Sequence, residues 1–459
     1  MQGPTQHDGP VKICMKSSCL GHITRRDATK LLSTAFLSTC VSLPFAHAQT
    51  GDQQRTADDT WPNEEDINYL EELQRAACLY FTEQVDPASG QVLDRALNQN
   101  PTGARDSRFV SSIAATGFGL VGLCIAEKRR YITAAQSRKQ VLATLRFHLS
   151  KLHHEYGFFY HFNNVETGEP AINSEISPID TSILLCGILT CRAHFKDPEI
   201  TRLATQLYER VEWPWMLNTG MTFSKGWRPD IGFIYSRWDH YSESMMMYLL
   251  AIGSPRHPIG ADHWNSFSRP RMEFREYQYI SGHDPLFVHQ YSHAWFDFAH
   301  KRDAYTNYFT NSVIATRAHK AFCLSLNRGY TEDFWGISAS DWEHGYAAWG
   351  GPPLMGPVDG SVTPSATSGS LPFLPRECLR VQRSMKENYG ENAWGRYGFC
   401  DSFHPALSWF DPDVLGIDLG IGLLMAENLR TGFVWNTFMQ NPEAVTAMKM
   451  AGFRDDFNH

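Results

Sequence analysis

Apolar residues recur at intervals of three and four along most of the chain, which is the spacing of a helix with one buried face. In the segment 198–211, one face carries Ile200, Leu203, Leu207 and Val211. The same spacing predicts helices over 62–84, 111–127, 134–152, 180–195, 242–252, 288–300, 305–326, 376–389, 418–430 and 442–451. Strand-like patterns are few and short, at 158–162 and 233–238. The pattern therefore predicts an all-α fold.

The helices recur regularly, and the loops between them are alternately short and long. This order indicates helical hairpins arranged in a ring, with the functional loops gathered at one end. We therefore predict an α/α barrel. A less symmetric helical bundle would show the same periodicity and stays open as the alternative. No sequence repeat of about 20 to 50 residues is visible, which argues against a solenoid.

Length and charge narrow the class of protein. The chain has 459 residues, of which 42% are hydrophobic, enough for a single large core. Its net charge is −8 and it has no long run of Lys or Arg, so a nucleic-acid or membrane partner is not expected. A neutral substrate fits this composition better, and the pattern says nothing about the oligomeric state.

The N-terminal segment has the pattern of an export signal. Arg25 and Arg26 precede an apolar run over 31–45, and Ala46-His47-Ala48 supplies a cleavage site of small residues. We predict a signal peptide over 1–48, a linker over 49–63 and a single catalytic domain over 64–459. The protein would then be periplasmic or secreted. The paired arginines favour the Tat route, and the Sec route stays open.

Cysteine and histidine spacing gives no metal or cofactor site. The seven cysteines beyond residue 48 form no CxxC pair, so they are interpreted as small apolar core residues. His289 and His293 have the i, i+4 spacing of paired ligands. No glutamate completes an HExxH motif there, so structural histidines are favoured. The sequence predicts no metal ion and no cofactor.

The segment 334–375 is rich in aromatic residues, glycine and proline. Tryptophan rings can stack on sugar rings, and carboxylates can bind sugar hydroxyls, so the segment indicates a carbohydrate site. A buried aromatic core beneath a loop is an equally good interpretation. Its candidate substrate-binding residues are Trp335, Asp341, Tyr346, Trp349 and Asp359, although Asp359-Gly360 also has the form of a turn.

Cleavage of a glycosidic bond needs one carboxyl group to protonate the leaving oxygen and a second to activate water or attack the sugar. Glu243 is a candidate, because Trp238 and His240 lie close to it in the sequence. A glutamate in the first turn of a helix is an equally good interpretation. The other candidates, each with a cap, turn or solvated-pair alternative, are Asp180, Asp401, Asp418 and, for substrate binding, Arg108.

Four longer motifs, WGISASDWEHGYAAWG, VDGSVTPSATSGSLPFLP, WGRYGFCDSFHPALSWF and GIDLGIGLLMAENLRTG, carry a family resemblance. They resemble the bacterial glucoamylase-like family, which includes β-1,2-glucanases of glycoside hydrolase family 144. The resemblance extends from about residue 65 to residue 453. It implies an (α/α)6 barrel, metal-independent hydrolysis with inversion, and β-1,2-linked glucan as the leading substrate.

The resemblance also implies roles for individual residues. It makes Glu243 the general acid, with Asp401 ranked ahead of Asp418 as the base. Asp180 and Asp341 would orient sugar hydroxyls or a water molecule. Three alternatives stay open, namely a glycosidase of another linkage, a transglycosylase, and a non-catalytic periplasmic glucan-binding protein. Endo and exo attack are not distinguished.

Overall fold

The structure is a computed structural model that describes residues 62–283 and 285–456. Helices dominate these residues. The α-helices are α1 (Glu64–Glu83), α2 (Ile113–Lys128), α3 (Ala134–Ser150), α4 (Pro178–Phe195), α5 (Pro198–Glu209), α6 (Trp213–Leu217), α7 (Met245–Ile252), α8 (Tyr308–Ser325), α9 (Pro364–Ser368), α10 (Pro375–Ala393), α11 (Gly416–Thr431), α12 (Phe433–Phe438) and α13 (Pro442–Met450).

The helices form an (α/α)6 barrel, which confirms the predicted fold class. Helix α2 packs against α1, α4 and α11, and α4 packs in turn against α5 and α7. None of the helices in the described part of the chain is long and apolar enough to cross a membrane. The predicted signal peptide and all but the end of the linker, residues 1–61, lie outside the described residues and stay predictions.

The strands are short and lie in the connections between helices, where they form antiparallel pairs. They are β1 (Arg95–Leu97), β2 (Val110–Ser112), β3 (His154–Glu155), β4 (Phe158–Phe159), β5 (Phe162–Asn164), β6 (Trp227–Arg228), β7 (Gly232–Phe233), β8 (Arg271–Phe274), β9 (Tyr277–Ile280), β10 (Lys301–Arg302), β11 (Ser340–Trp342), β12 (Gly345–Ala347), β13 (Trp394–Gly395), β14 (Gly398–Phe399), β15 (Phe403–His404), β16 (Trp409–Phe410), β17 (Asp413–Leu415) and β18 (Arg454–Asp455). Most pairs are local hairpins, but β1 pairs with β17, β2 with β5 and β10 with β18. The predicted strand at 233–238 is wrong beyond Phe233, and that at 158–162 is two shorter strands.

The helix predictions hold except at 288–300. That segment contains two short 3-10 turns, Leu286–His289 and Tyr291–Ala294, in place of an α-helix. Its side chains bind neighbouring elements, because the Gln290 amide donates to Ala366 O at 2.9 Å and Ser292 Oγ donates to Glu243 O at 2.7 Å. These tertiary contacts fix the backbone in a conformation that apolar spacing alone does not reveal.

The helix starts follow local capping rules. Asn63 caps α1, and its side chain accepts from Asp66 N–H while the Asp66 carboxylate accepts from Asn63 N–H. Ser177 caps α4, with Pro178 in the first helical position. These groups satisfy N–H donors that would otherwise lack partners at the helix ends. Capping therefore sets where each of these helices begins.

The barrel core is closed by direct backbone contact between α2 and α4. A Cβ atom added at Gly187 of α4 would lie 2.2 Å from the carbonyl oxygen of Gly117 in α2. A Cβ atom added at Gly117 would lie 2.6 Å from Ile183 O. The two helices therefore approach as closely as their backbones allow, and only glycine fits at both positions.

We expect Gly187→Ala to lower the free energy of unfolding by about 1–3 kcal/mol, because the added methyl group overlaps the Gly117 backbone. Urea denaturation monitored by circular dichroism measures this. The matched control is Gly390→Ala in α10, where the added Cβ atom would meet Lys386 Cγ at 3.4 Å and Trp394 Cβ at 3.9 Å, both ordinary van der Waals contacts. The control should be neutral or stabilising by about 0.5–1 kcal/mol. Equal effects at the two positions would contradict the close-contact account.

Candidate active site

A cleft of about 390 Å³ lies within the barrel. Apolar and aromatic side chains line most of it, and a few polar groups converge on it, as in most small-molecule sites. The carboxylates of the cleft are those of Asp94, Asp180, Glu243 and Asp413. Its basic side chains are Arg95, Arg108, His161, Lys225 and His240, and its aromatic ones are Phe109, Phe162, Trp238, Phe287, Tyr291 and Tyr346. The cleft therefore holds both acidic groups and flat apolar rings.

Asp180 is presented to the cleft by the first turn of α4. Its N–H donates to Ser177 Oγ at 3.1 Å, and the Ser177 hydroxyl donates to Asp180 Oδ2. Ser177 is therefore the N-cap, and the interpretation of Asp180 as the cap is wrong. The side chain of Asp180 instead lines the cleft, with its Oδ1 atom 3.5 Å from His161 Nε2.

His161 links two carboxylates at this side of the cleft. Its Nδ1 atom lies 3.5 Å from Glu175 Oε1, and its Nε2 atom faces Asp180. One ligand atom from each of the three residues lies within 4.8 Å of the others, so the group could also hold a cation. The sequence analysis did not select His161. The only available signal was its place between two aromatic residues in the YHFNN segment.

Glu243 lies just ahead of α7 and not in its first turn, so the helix-dipole alternative does not apply to it. Ser292 fixes the Glu243 backbone by donating to its carbonyl oxygen. The neighbouring Trp238 is 5% exposed and lines the cleft, and the Lys225 ammonium lies 4.9 Å from the centre of its ring. His240 also lines the cleft. Glu243, Trp238 and His240 thus line the same cleft.

An arginine-centred network forms another part of the cleft wall. Arg95 Nη1 lies 2.5 Å from Asp341 Oδ2, and Arg95 Nε lies 3.3 Å from Asp94 Oδ2. Arg108 Nη1 lies 2.8 Å from Asp413 Oδ1. Burial lowers the pKa of Arg95, but the carboxylates of Asp94 and Asp341 outweigh burial and raise that pKa above its usual range. Arg95 therefore carries a fixed positive charge.

Asp341 lies behind Arg95 and is not itself part of the cleft lining. Burial raises the pKa of its carboxyl group, and the Arg95 guanidinium partly offsets that rise. Its strand partner Tyr346 does line the cleft, because the β11–β12 hairpin pairs the two residues. The structure therefore brings Tyr346 to the cleft and makes Asp341 a support for Arg95.

Asp401 and Asp418 lie outside the cleft. Both line a separate small cavity of about 30 Å³. Burial, with the neighbouring Asp418 carboxyl group, raises the pKa of Asp401 well above its usual range. Its Oδ2 atom accepts from Asp341 N–H at 2.7 Å. A general base must be ionised and must reach a water molecule beside the sugar. The structure therefore argues against both residues as the base.

Three other predicted substrate-binding residues also lie away from the cleft. The side chains of Trp335 and Trp349 are fully buried in a second apolar core, so neither ring can stack on a sugar. Trp349 Nε1 donates to Ser340 Oγ at 3.0 Å. Asp359 Oδ1 accepts from Ser361 N–H at 2.8 Å, which is the contact of a turn. For these residues the buried-core and turn alternatives are correct, because the β11–β12 hairpin and α9 fold the segment inward.

His289 and His293 are both buried and bonded to hydroxyl groups. His289 Nδ1 pairs with the Tyr241 hydroxyl at 3.1 Å, and His293 Nε2 pairs with Ser312 Oγ at 3.1 Å. Burial lowers the pKa of each to about 3. They lie in successive 3-10 turns, so the i, i+4 geometry of one helix face does not arise.

Comparison with known proteins shows which proteins this chain resembles. Residues 235–442 match the Glycoamylase family model, described as "putative glucoamylase". The predicted resemblance to the glucoamylase-like family is confirmed. A curated relative in this group is an exo β-1,2-glucooligosaccharide sophorohydrolase (non-reducing end) from Parabacteroides distasonis, 27% identical over 445 residues and 88% of this chain. The chain spans 60% of the length of that relative.

Solved structures of two β-1,2-glucanases share the fold. An endo-β-1,2-glucanase from Chitinophaga pinensis, solved with sophorotriose and glucose, is 25% identical and has a TM-score of 0.78. That similarity covers 85% of this chain and 99% of the other. A β-1,2-glucanase from Parabacteroides distasonis is 25% identical with a TM-score of 0.75, over 84% of this chain and 60% of the other. The fold of this chain is thus shared with structures of β-1,2-glucanases.

We expect Arg95→Gln to lower the free energy of unfolding by about 3–5 kcal/mol, because it leaves the buried carboxylates around it without their counter-charge. Chemical denaturation measures the change. The matched control is Arg138→Gln, which removes an exposed pair with Asp197, 2.8 Å away, and should change stability little. If the Arg95 variant were as stable as the control, the network would not hold the cleft wall.

Proposed function

We propose that this protein is a glycoside hydrolase that cleaves β-1,2-linked glucan. The observation that carries the proposal is the cleft that gathers Glu243, Asp180 and Asp413 beside aromatic rings in a glucoamylase-like barrel. Two carboxyl groups are what acid–base cleavage of a glycosidic bond needs. The relatives named for β-1,2-glucan and its oligosaccharides favour this linkage over others.

In the proposed mechanism Glu243 is the general acid. Its backbone is held by Ser292 just ahead of α7, and it lines the cleft together with the mostly apolar ring of Trp238. An apolar setting favours the protonated carboxyl group that the leaving oxygen requires. Glu243 would donate its proton as the bond to the leaving sugar breaks.

The second carboxylate belongs to Asp413 or Asp180. Asp413 faces the Arg108 guanidinium, and Asp180 faces His161, so each has a polar setting suited to an ionised group. An inverting enzyme must hold a water molecule between this carboxylate and the sugar. The carboxylate would take a proton from that water as its oxygen attacks the anomeric carbon. Arg108, His240 and Tyr346 would bind sugar hydroxyls, and Trp238 would stack on a sugar ring.

We infer further that the enzyme acts in the periplasm or outside the cell. The support is the N-terminal pattern, in which paired arginines precede an apolar run and a cleavage site of small residues. The composition is compatible with a glucan substrate, because binding a neutral glucan does not require a strongly charged protein surface.

Incubation of the protein with linear β-1,2-glucan, soluble starch and linear β-1,3-glucan tests the substrate. We expect short products from β-1,2-glucan alone. Chromatography of the products measures their lengths. A ladder of lengths would indicate endo attack, and one short product would indicate exo attack. Products from starch would contradict the proposed linkage, and longer chains than those supplied would indicate transglycosylation.

We expect Glu243→Gln to lower kcat by about 10²- to 10⁴-fold without changing the melting temperature, since the amide cannot donate the proton. Asp413→Asn and Asp180→Asn should separate the two candidates for the base, because only the true base should give a loss of that size. Glu387→Gln, an exposed site on α10, is the matched control and should keep full activity. If all three cleft variants stayed active, the acid–base assignment would be wrong.

The anomeric form of the first product tests inversion. Proton NMR during early turnover should show the α-anomer released from the β-linkage, because one displacement by water inverts the carbon. Initial release of the β-anomer would instead indicate a covalent intermediate. It would also require the two catalytic carboxyl groups to lie about 5 Å apart.

A further inference from the structure

A second group of carboxylates lies behind the wall of the cleft, formed by Asp341, Asp401 and Asp411. One oxygen atom from each residue lies within 4.8 Å of one from each of the others. The residues are 8%, 3% and 6% exposed, so the group is buried. The proposed hydrolytic reaction uses none of these three side chains. Their clustering therefore needs a separate physical explanation.

Two oxygen atoms of this group are buried without a hydrogen-bond partner among the described residues. Asp401 Oδ2 accepts from Asp341 N–H; Asp401 Oδ1 accepts from no N–H or hydroxyl donor in the described part of the chain, and the Asp401 carboxyl group lies beside that of Asp418. Asp411 Oδ1 accepts from Asp413 N–H at 3.0 Å, but Asp411 Oδ2 has none. Burying a carboxylate oxygen without a partner is costly, and such atoms usually face a donor or a cation.

The charges near this group do not balance. The surrounding carboxylates are six in number, namely Asp94, Asp341, Asp401, Asp411, Asp413 and Asp418. The guanidinium groups paired with them are two, Arg95 and Arg108. Six negative charges less two positive ones leave four uncompensated when every acid is ionised. A buried excess of this size requires bound protons or a bound cation.

We propose that Asp341, Asp401 and Asp411 bind a single Ca²⁺ ion. Carboxylate oxygens are the ligands that this hard cation prefers. Calcium–oxygen distances of about 2.4 Å allow two ligands of one ion to lie up to about 4.8 Å apart. The separation of the three oxygen atoms meets that limit. Zn²⁺ is less suited, because the group offers no nitrogen or sulfur ligand.

The ion would act on the fold and not on the sugar. Asp341 holds Arg95 through its Oδ2 atom, and Asp411 holds the backbone of Asp413. Both Arg95 and Asp413 line the cleft. Fixing the three carboxylates would therefore fix two residues of the cleft wall from behind. The effect would appear first in stability, independently of which glucan the enzyme cleaves.

Equilibrium dialysis of the EGTA-stripped protein against Ca²⁺, followed by elemental analysis, tests the proposal. We expect about one Ca²⁺ per chain, with a melting temperature a few degrees higher in excess Ca²⁺ than in EGTA. Asp411→Asn should lose both the bound ion and the Ca²⁺-dependent shift. The matched control is Asp303→Asn, another buried aspartate, whose oxygens already accept from Trp264 Nε1 and Tyr305 N–H. This control variant should keep the Ca²⁺-dependent rise in melting temperature, although its melting temperature in EGTA should be lower than that of the unaltered protein.

Three outcomes would overturn the proposal. The first is no retained Ca²⁺ and equal melting temperatures in EGTA and Ca²⁺, which would mean that shared protons balance the charge. The second is a Ca²⁺ shift that survives in Asp411→Asn. The third is loss of the Ca²⁺-dependent shift in melting temperature in Glu175→Gln. That result would mean that the ion binds at the group of His161, Glu175 and Asp180 instead. If Asp411→Asn does not fold, Asp401→Asn provides the same comparison, and the stoichiometry of the unaltered protein still decides.

Discussion

The cleft depends on one half-buried cation, the guanidinium of Arg95. It holds Asp94 and Asp341 directly and lies 4.0 Å from Asp413. Without it, several carboxylates would share a region of low dielectric and repel one another. This positive charge lets acids that are far apart in the sequence, such as Asp94 and Asp341, lie side by side. The part of the cleft wall that contains these acids therefore depends on the Arg95 guanidinium.

The acids of this protein separate into two sets by their surroundings. Those that line the cleft, such as Asp413 and Asp180, face basic groups and open space. Those behind the wall, such as Asp401 and Asp411, are buried, and burial raises the pKa of Asp411 to about 8. Proximity to other acids thus does not identify a catalytic residue. Access to the cleft and the sign of the neighbouring charges separate the two sets.

The sequence predicts those parts of the structure whose backbone conformation is determined by local rules. Helix α5 is predictable because its apolar face is set by spacing alone. Residues 288–296 are all buried, so the spacing carries no information about their backbone. Ser177, and not Asp180, is the N-cap of α4. The sequence alone does not separate the two residues, because Ser and Asp cap helices equally well. Trp335 and Trp349 have the composition of stacking residues, but their burial depends on how the loop folds.

The polar partners in the site are the least predictable part. His161 meets Asp180 and Glu175 only because the loop before α4 folds back on the 158–164 strands. Arg95 meets Asp341 across 246 positions of the chain. Neither contact has a periodic signal, and no local propensity favours either one. Glu243, Trp238 and His240 were found because they are close in the sequence as well as in space.

The pairing of β1 with β17 has a consequence for how the protein is made. Arg95 pairs with Leu415, which lies 320 positions further along the chain (415 − 95). During synthesis this part of the cleft therefore cannot assemble until β17 has been made. Until then Arg95 lacks the strand that completes its side of the cleft wall. Any truncation that removes β17 would remove this wall, however well the preceding helices fold.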